Sequence, residues 1–372
     1  MRRRLLWLLS TWAYFLPTEM LPHIVQLLRV VLDPRQQTSD TVVMIQAIET
    51  LKAITLKEEF KTQMLVPEFP ALIESMCQLT LSLEDSEHRA KVVDLMGELV
   101  LLIGPGIVPI LAPIYAHLCD LWQSAEVHSP IRSSVLDTLT RIVRCCGLAS
   151  DSFHESLQPL LSAVFSHSEL DFVRKEACAL WLAVVRGADN YSSHLDTIFK
   201  EGVPRLFSSE NEDFAEPDSE LMKSVMIIVE AYAVIGGEHF LESCKDALDL
   251  ILRQTLCDSL GMMKQARMTQ YFLRPVEALL FTAPVSTVKF LCDVGVLSAM
   301  LRACAATTPS FSIYFKDFKE EDVSVIGYLT IICRVISIDS VALSSQCAQV
   351  LAGSNISGAV FMQELLRLLI DR

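Results

Sequence analysis

Apolar residues recur along this chain at the spacing of amphipathic helices, and the helical segments come in pairs that repeat about every 40–50 residues. One pair spans 129–167 and the next spans 168–207. A period of this length is typical of HEAT and armadillo repeats, in which each helix pair buries its apolar face only against its neighbours. The pattern predicts an all-α protein, an α-α superhelix that forms a HEAT- or armadillo-type solenoid. The apolar positions of the pair at 129–167 are Ile131, Val135, Leu136, Leu139, Ile142, Val143, Leu157, Leu160, Leu161, Val164 and Phe165.

The same rhythm continues over the whole length, so we predict one solenoid over residues 1–372 with about eight helix pairs and no separate globular domains. Trp181 occupies an apolar position of the fifth pair and is predicted to be buried. Ser129 and Asp85 stand where a side chain can cap the following helix. The predicted pairs span residues 1–33, 38–83, 85–124, 129–167, 168–207, 218–260, 261–306 and 319–372.

An acidic loop at 208–218 interrupts this rhythm, because it has no apolar periodicity. A run of like charges is usually a solvated insertion, and that is one interpretation of this loop. The other is a contact for a basic partner, in which Glu210, Glu212 and Asp213 are the candidate cargo-contact residues. The mixed-charge segment at 316–322 leaves the same two alternatives open.

Overall charge favours basic partners. The net charge is −14, which disfavours direct nucleic-acid binding by a basic surface; alternatively, the acidity only maintains solubility. The eleven cysteines lie among apolar residues without a Cys-x-x-Cys pair, which predicts reduced, buried thiols and no zinc site. We therefore expect no disulfide, no metal and no cofactor.

Two stretches imitate membrane signals. Arg2–Leu9 resembles the start of a signal peptide, but Ser10 and Thr11 break its apolar run and no cleavage site follows. The stretch 99–118 lacks full charges, but glycines and prolines interrupt it at 104–113. We expect a soluble chain without membrane insertion.

Motifs of catalysis are not found. The sequence has no Gly-x-Gly-x-x-Gly or Walker pattern, no Gly-x-Ser-x-Gly and no His-Glu-x-x-His. The eight histidines are scattered, and His23 and His117 lie on apolar helical stretches typical of packing histidines. Asp171 and Arg174 match the acidic and Val-Arg positions of HEAT repeats and are interpreted as structural. We predict that the protein is not an enzyme.

The first helix carries Leu5, Leu8, Leu9 and Trp12 on one face after the run Arg2–Arg4. These arginines either bond to a neighbouring repeat or bind a partner. The run Arg2–Arg4 followed by Trp7 and Trp12 resembles the middle region of the importin-beta family of nuclear transport receptors, nearest to its importin-eleven group. Later segments continue the resemblance to about residue 260. These segments are Ala47–Lys52, the region of Phe60, Leu121–Trp122 with Glu126 and His128, Ser134–Leu139, and Glu176–Leu182.

This resemblance implies a receptor that carries protein cargo, here basic, through the nuclear pore under control of the Ran GTPase, and that is found in nucleus, cytoplasm and nuclear envelope. In that family the amino-terminal repeats bind Ran and nuclear pore proteins, and this chain, which lacks a match to them, resembles the carboxy-terminal part of a longer receptor. The alternative is a HEAT-repeat scaffold subunit for protein assembly. A coding sequence with the family's amino-terminal repeats upstream would favour the receptor.

Overall fold

The computed structural model describes residues 1–33, 35, 40–206, 220–255, 269–307, 322–352 and 357–371. Within these ranges the chain forms α-helices and short 3-10 turns and contains no β-strand. The prediction of an all-α superhelix of the HEAT/armadillo type is therefore confirmed. The helices are α1 Arg2–Thr11, α2 Leu21–Leu32, α3 Thr41–Thr55, α4 Phe69–Ser82, α5 Ser86–Ile103, α6 Leu111–Ser124, α7 Pro130–Cys146, α8 Asp151–Ser166, α9 Arg174–Gly187, α10 Ser193–Leu206, α11 Glu220–Ser243, α12 Lys245–Thr255, α13 Thr269–Thr282, α14 Pro284–Val294, α15 Val296–Thr307, α16 Asp322–Ile338, α17 Ser340–Val350 and α18 Gly358–Asp371.

The helices group into two compact units, of which the first comprises residues 1–153 and 169–187. In this unit the first helices of successive pairs stack in the order α1, α3, α5, α7 and α9. The second helices α2, α4 and α6 form another layer, and each of them also packs against the first helix of the following pair. A helix in this arrangement is covered on more than one side, which accounts for the wide apolar stripes in the sequence.

The second unit comprises residues 154–168 and 188–372. Its helices α11, α13 and α16 stack in succession, and α10, α12, α14 and α17 pack in a second series. The predicted pair at 261–306 differs from a simple hairpin, because its described part contains α13, α14 and α15. Pro284 begins α14, where its missing N–H costs nothing.

Threonine hydroxyls, buried at Thr50 and Thr138 and partly buried at Thr282, join first helices that lie one repeat apart. Thr50 donates to the carbonyl of Leu6 over 3.0 Å, 44 residues earlier in the chain. Thr138 donates to the carbonyl of Val93 over 3.0 Å, 45 residues earlier. In the second unit, Thr282 makes the corresponding bond to Ala233, 49 residues earlier. These separations equal the sequence period, so the repeat is also the unit of packing.

Helix starts follow the capping predictions at the two best-defined positions. The Ser129 hydroxyl accepts from the backbone N–H of Ile131, and the Asp85 carboxylate accepts from the N–H of His88. The second bond is the main reason that the pKa of Asp85 is lowered. Capping of this kind satisfies amides that have no partner inside the helix.

Two helical stretches, Ser86–Ser124 and Glu220–Ser243, are long and apolar enough to cross a membrane by length and composition alone. Each is interrupted by a glycine with a positive φ, Gly104 at 62° and Gly237 at 48°. Residues with a side chain rarely adopt such angles, so the chain changes direction at these glycines. Each stretch therefore consists of two shorter helical parts rather than one straight span.

The ten cysteines in the described part of the chain are all free thiols. Burial raises the pKa of Cys178 to about 12 and that of Cys77 to about 11. Thiols with such pKa values stay protonated at neutral pH and are poor nucleophiles. Cys257 lies outside the described residues, and the expectation of a chain without disulfides stays a prediction.

Candidate interaction surface

The candidate cargo contacts Glu210, Glu212 and Asp213 lie in the segment 207–219, outside the described residues. That segment joins α10 to α11 and includes five acidic residues without any lysine or arginine. The mixed-charge segment at 316–322 is likewise described only at Asp322. The two predicted contact segments are therefore located in the chain order but not in space.

An apolar groove lies on the first helix pair. Leu5, Leu6 and Leu9 of α1 line it together with residues of α2 and α3, and its volume is about 330 Å³. The sequence predicts that Leu5, Leu8, Leu9 and Trp12 share a face, but Leu6 is the residue of α1 that is buried. Trp12 is 56% exposed. This end of the first unit thus presents aliphatic and aromatic side chains to solvent.

Some charges on the second helices are paired with neighbouring residues. Arg29 of α2 pairs with Glu68 at 2.6 Å, and Arg253 of α12 pairs with Asp249 at 2.7 Å. Exposed ion pairs of this kind contribute little to stability, but they cancel the local field. Glu155 of α8 is an exposed acid that makes no ion pair within the described residues, so these pairs do not remove the acidity of the second helices.

Asp196 near the start of α10 is the centre of a polar network in the second unit. Its Oδ1 accepts hydrogen bonds from Tyr191 over 2.8 Å, from Ser243 over 2.7 Å and from Cys244 over 3.1 Å. Its Oδ2 pairs with Lys200 at 2.5 Å. The network ties the start of α10 to the last residue of α11 and to Cys244 just after it, about one repeat away.

The pKa values of this network show how strongly the carboxylate is held. Burial alone would raise the pKa of Asp196, but the hydrogen bonds from Lys200, Ser243, Tyr191 and Cys244 outweigh it and lower the pKa. Burial is also the main cause that raises the pKa of Cys244 to about 12. The Cys244 thiol therefore stays protonated and donates a hydrogen bond to the Asp196 carboxylate. Its role is structural, and it is a poor nucleophile.

The side chain of Arg132 bridges the turn between α6 and α7. The Arg132 guanidinium lies 4.5 Å from the ring centroid of Trp122 and donates to the carbonyls of Ala125 and Glu126 over 2.9 and 3.0 Å. Arginine combines stacking and forked donation in a way that lysine does not. These contacts stabilise the turn between α6 and α7 in the first unit.

Arg174, predicted to be structural, has its side chain almost buried and pairs with Asp171 at 2.5 Å within its own repeat. Asp171 lies in the 3-10 turn just before α9 and Arg174 is the first residue of α9, near the helix start as the HEAT pattern predicts. The bond holds the 3-10 turn at 168–173 against the first turn of the helix.

Metal chemistry finds no support in the ranges that the structure describes, where no cluster of three or more histidine, cysteine or acidic side chains could hold a metal ion. His117 is bound to the hydroxyl of Thr80 at 2.8 Å, and burial is the main cause that lowers its pKa. It is thus a packing histidine, as predicted.

Sequence reasoning missed the network around Asp196 and the groove at α1. The network joins residues about 50 positions apart, such as Asp196 and Cys244, and no local motif marks them. The run of leucines in α1 indicates an apolar surface there. Which of these leucines is buried depends on the neighbouring helices.

Comparison with known proteins gives one family. A model of the importin-11-like family, described as TPR repeats, matches residues 133–372, which is nearly two thirds of the chain. The match extends to the end of the sequence, beyond the limit near residue 260 expected from the resemblance. No curated protein sequence matches the chain.

Among solved structures, importin beta is similar with a TM-score of 0.54 and 12% identity over 93% of this chain. Kap121p has a TM-score of 0.34 and 11% identity over 95% of this chain. An engineered protein has a TM-score of 0.47 and 13% identity over 99% of this chain. The chain spans 44% of importin beta and 46% of Kap121p. At these identities the likeness to importin beta shows the fold alone.

Proposed function

Because this chain belongs to the importin-11-like family, we propose that it forms the cargo-handling part of a nuclear import receptor under control of the Ran GTPase. The observation that carries the proposal is the family match over residues 133–372, on a stack of helix pairs that resembles importin beta in fold. Its partners are protein cargo and nuclear pore proteins, and its place is the nucleus, the cytoplasm and the nuclear envelope.

The proposed cargo is basic, because the chain carries a net charge of −14. Glu210, Glu212 and Asp213 are the proposed contacts, in a segment where five acids have no neighbouring base. An acidic surface raises the rate of association with a basic segment and makes the affinity sensitive to salt. Binding by this route requires no nucleic acid, no cofactor and no membrane.

Ran acts, in this proposal, mainly through amino-terminal repeats that precede this part of the receptor. Release of cargo then requires that Ran-GTP and cargo prefer different conformations or overlapping surfaces, and linkage makes each weaken the other equally. A solenoid suits such coupling, because each repeat contacts only its neighbours and small changes add up along the stack.

The test is a titration of cargo complexes with Ran-GTP, with Ran-GDP as the control. A receptor that includes both the family's amino-terminal repeats and this chain should bind a lysine-rich protein and release it as Ran-GTP is added. The 372-residue chain alone should bind the same protein weakly and respond little to Ran-GTP. A complete receptor whose cargo affinity is indifferent to Ran-GTP would leave a scaffold for protein assembly as the better description.

A further inference from the structure

Two arginines flank a groove at the carboxyl ends of α7 and α9, both in the first unit. Arg144 and Arg186 lie on its two sides, and its volume is about 270 Å³. The side chains of Val143, Leu182 and Ala183 form the apolar part of its lining. The groove therefore combines a small hydrophobic floor with two cationic walls.

Both arginines are exposed, and neither makes an ion pair or hydrogen bond with the described part of the chain. Arg141, one turn earlier on α7, is different because it pairs with Asp137 at 2.6 Å. The next acid after Arg186 in the sequence is Asp189, whose carboxylate accepts from the side-chain amide of Asn190 over 2.9 Å. Two cations without an ion pair in the described residues thus face one groove in a chain of net charge −14.

The helix ends account for part of this charge but not for all of it. Each helix carboxyl end carries roughly half a negative charge, and an arginine in the last turn complements it. Two helix ends thus offset about one of the two formal charges. The groove therefore retains about one positive charge. Each guanidinium group can bind a carboxylate through two parallel hydrogen bonds.

We propose that this groove binds an acidic peptide segment of a partner protein, with one apolar side chain on the floor and a carboxylate at each arginine. Neighbouring packed helices lie about 8–10 Å apart, which corresponds to about three residues of extended chain. Because alternate side chains of an extended chain share a face, the matching segment has an acidic, an apolar and an acidic residue at positions i, i+2 and i+4. The two acids are then about 13 Å apart, with the long arginine side chains reaching outward from the two helices to meet them. This groove shares no residue with the acidic segment proposed for basic cargo and has the opposite charge preference.

The test is fluorescence anisotropy of the 372-residue chain with a labelled synthetic peptide in which two glutamates, four positions apart, flank a leucine midway between them. Charge reversal at both arginines, Arg144→Glu with Arg186→Glu, should raise the Kd at least about tenfold. Replacing both with lysine keeps the charge but removes forked donation, so the loss should be smaller. The matched control is Lys91→Glu on α5, an exposed cation outside the groove, which should change the Kd less than about twofold.

The peptide itself provides a check that does not depend on the folding of any variant. Glutamine in place of both glutamates should abolish binding, and alanine in place of the leucine should weaken it, because each removes one of the two recognised features. An equal loss with Lys91→Glu, or binding that survives the glutamine replacement, would overturn the proposal. Tighter binding of a single-stranded oligonucleotide than of the peptide would also overturn it, in favour of a nucleic-acid site.

Discussion

The hydroxyl of Thr138 on α7 bonds to the carbonyl of Val93 on α5, and Gly97 lies one turn further along α5 at the same contact. A Cβ at Gly97 would come within 2.8 Å of the Thr138 hydroxyl oxygen and 3.1 Å of the Arg141 side chain. The two helices can approach this closely only because residue 97 has no side chain. The close approach of α5 and α7 thus depends on a glycine in one repeat and a threonine in the next.

Gly97→Ala should destabilise the protein by about 1–2 kcal/mol. Alanine favours a helix over glycine by about 1 kcal/mol, so the clash has to exceed this gain. The free energy of unfolding in urea measures the balance. Gly358→Ala is the matched control, because a Cβ there meets nothing within 4 Å, and it should be neutral or slightly stabilising. Equal effects at both positions would contradict the close approach.

Thr138→Val should cost about 1 kcal/mol, because it keeps the shape of the side chain and removes a buried hydrogen-bond donor. Urea denaturation again provides the measurement. Thr330 on α16 is exposed and bonds only to the carbonyl of its own helix, so Thr330→Val should change stability by less than about 0.5 kcal/mol. A loss at Thr138 no larger than that at Thr330 would show that the hydroxyl does not join the repeats.

Trp181→Ala should cost about 3–5 kcal/mol, as truncation of a large core aromatic does. The sequence predicts a buried tryptophan, and the structure confirms it, since Trp181 has no exposed surface. Trp7, which is 54% exposed, is the control, and Trp7→Ala should change the free energy of unfolding by less than about 1 kcal/mol. A shift below about 1 kcal/mol at Trp181 would be incompatible with its burial.

Asp196→Asn should lower stability at pH 7 by about 1–2 kcal/mol, because it removes a charged acceptor from four donors. The folded pKa of Asp196 lies below its unfolded value, so its contribution is present above the unfolded pKa of about 3.9 and is lost as the pH falls through the folded pKa. The difference in the free energy of unfolding between the native protein and Asp196→Asn should therefore become smaller below about pH 4.

Urea denaturation at neutral and acidic pH measures that difference. The control is Asp249→Asn, which removes a partly exposed pair with Arg253 and should cost less than about 0.5 kcal/mol. If Asp196→Asn lowers the free energy of unfolding by the same amount at both pH values, the charge of the carboxylate does not stabilise the network.

Charge reversal of Glu210, Glu212 and Asp213 to lysine should weaken binding of a fluorescent lysine-rich peptide if the loop contacts cargo. The matched control reverses three exposed acids elsewhere, Glu58, Glu84 and Glu155, so that both variants have the same net charge. If both variants lower the affinity for the peptide equally, or if neither lowers it, the loop is a solvated insertion.

The local sequence is sufficient for the helices because their signals are short-range. The spacing of Ile131, Val135 and Leu139 defines a helical stripe within a few turns, and Ser129 marks its start. Where a signal covers a longer range, prediction is less accurate. The segment 261–306 shows this, because a single hairpin was predicted and its described part contains three helices. The apolar pattern does not show where α14 ends and α15 begins.

The sequence by itself determined the all-α fold, the repeat period and the family, because each depends on patterns that lie close together in the chain or recur along it. Only the tertiary structure decided which residues of different repeats meet. Thr138 and Val93, or Arg144 and Arg186, are more than 40 residues apart, and their meeting depends on the register between stacked helices. That register is set by the packing of many side chains at once, and no single stretch of sequence contains it.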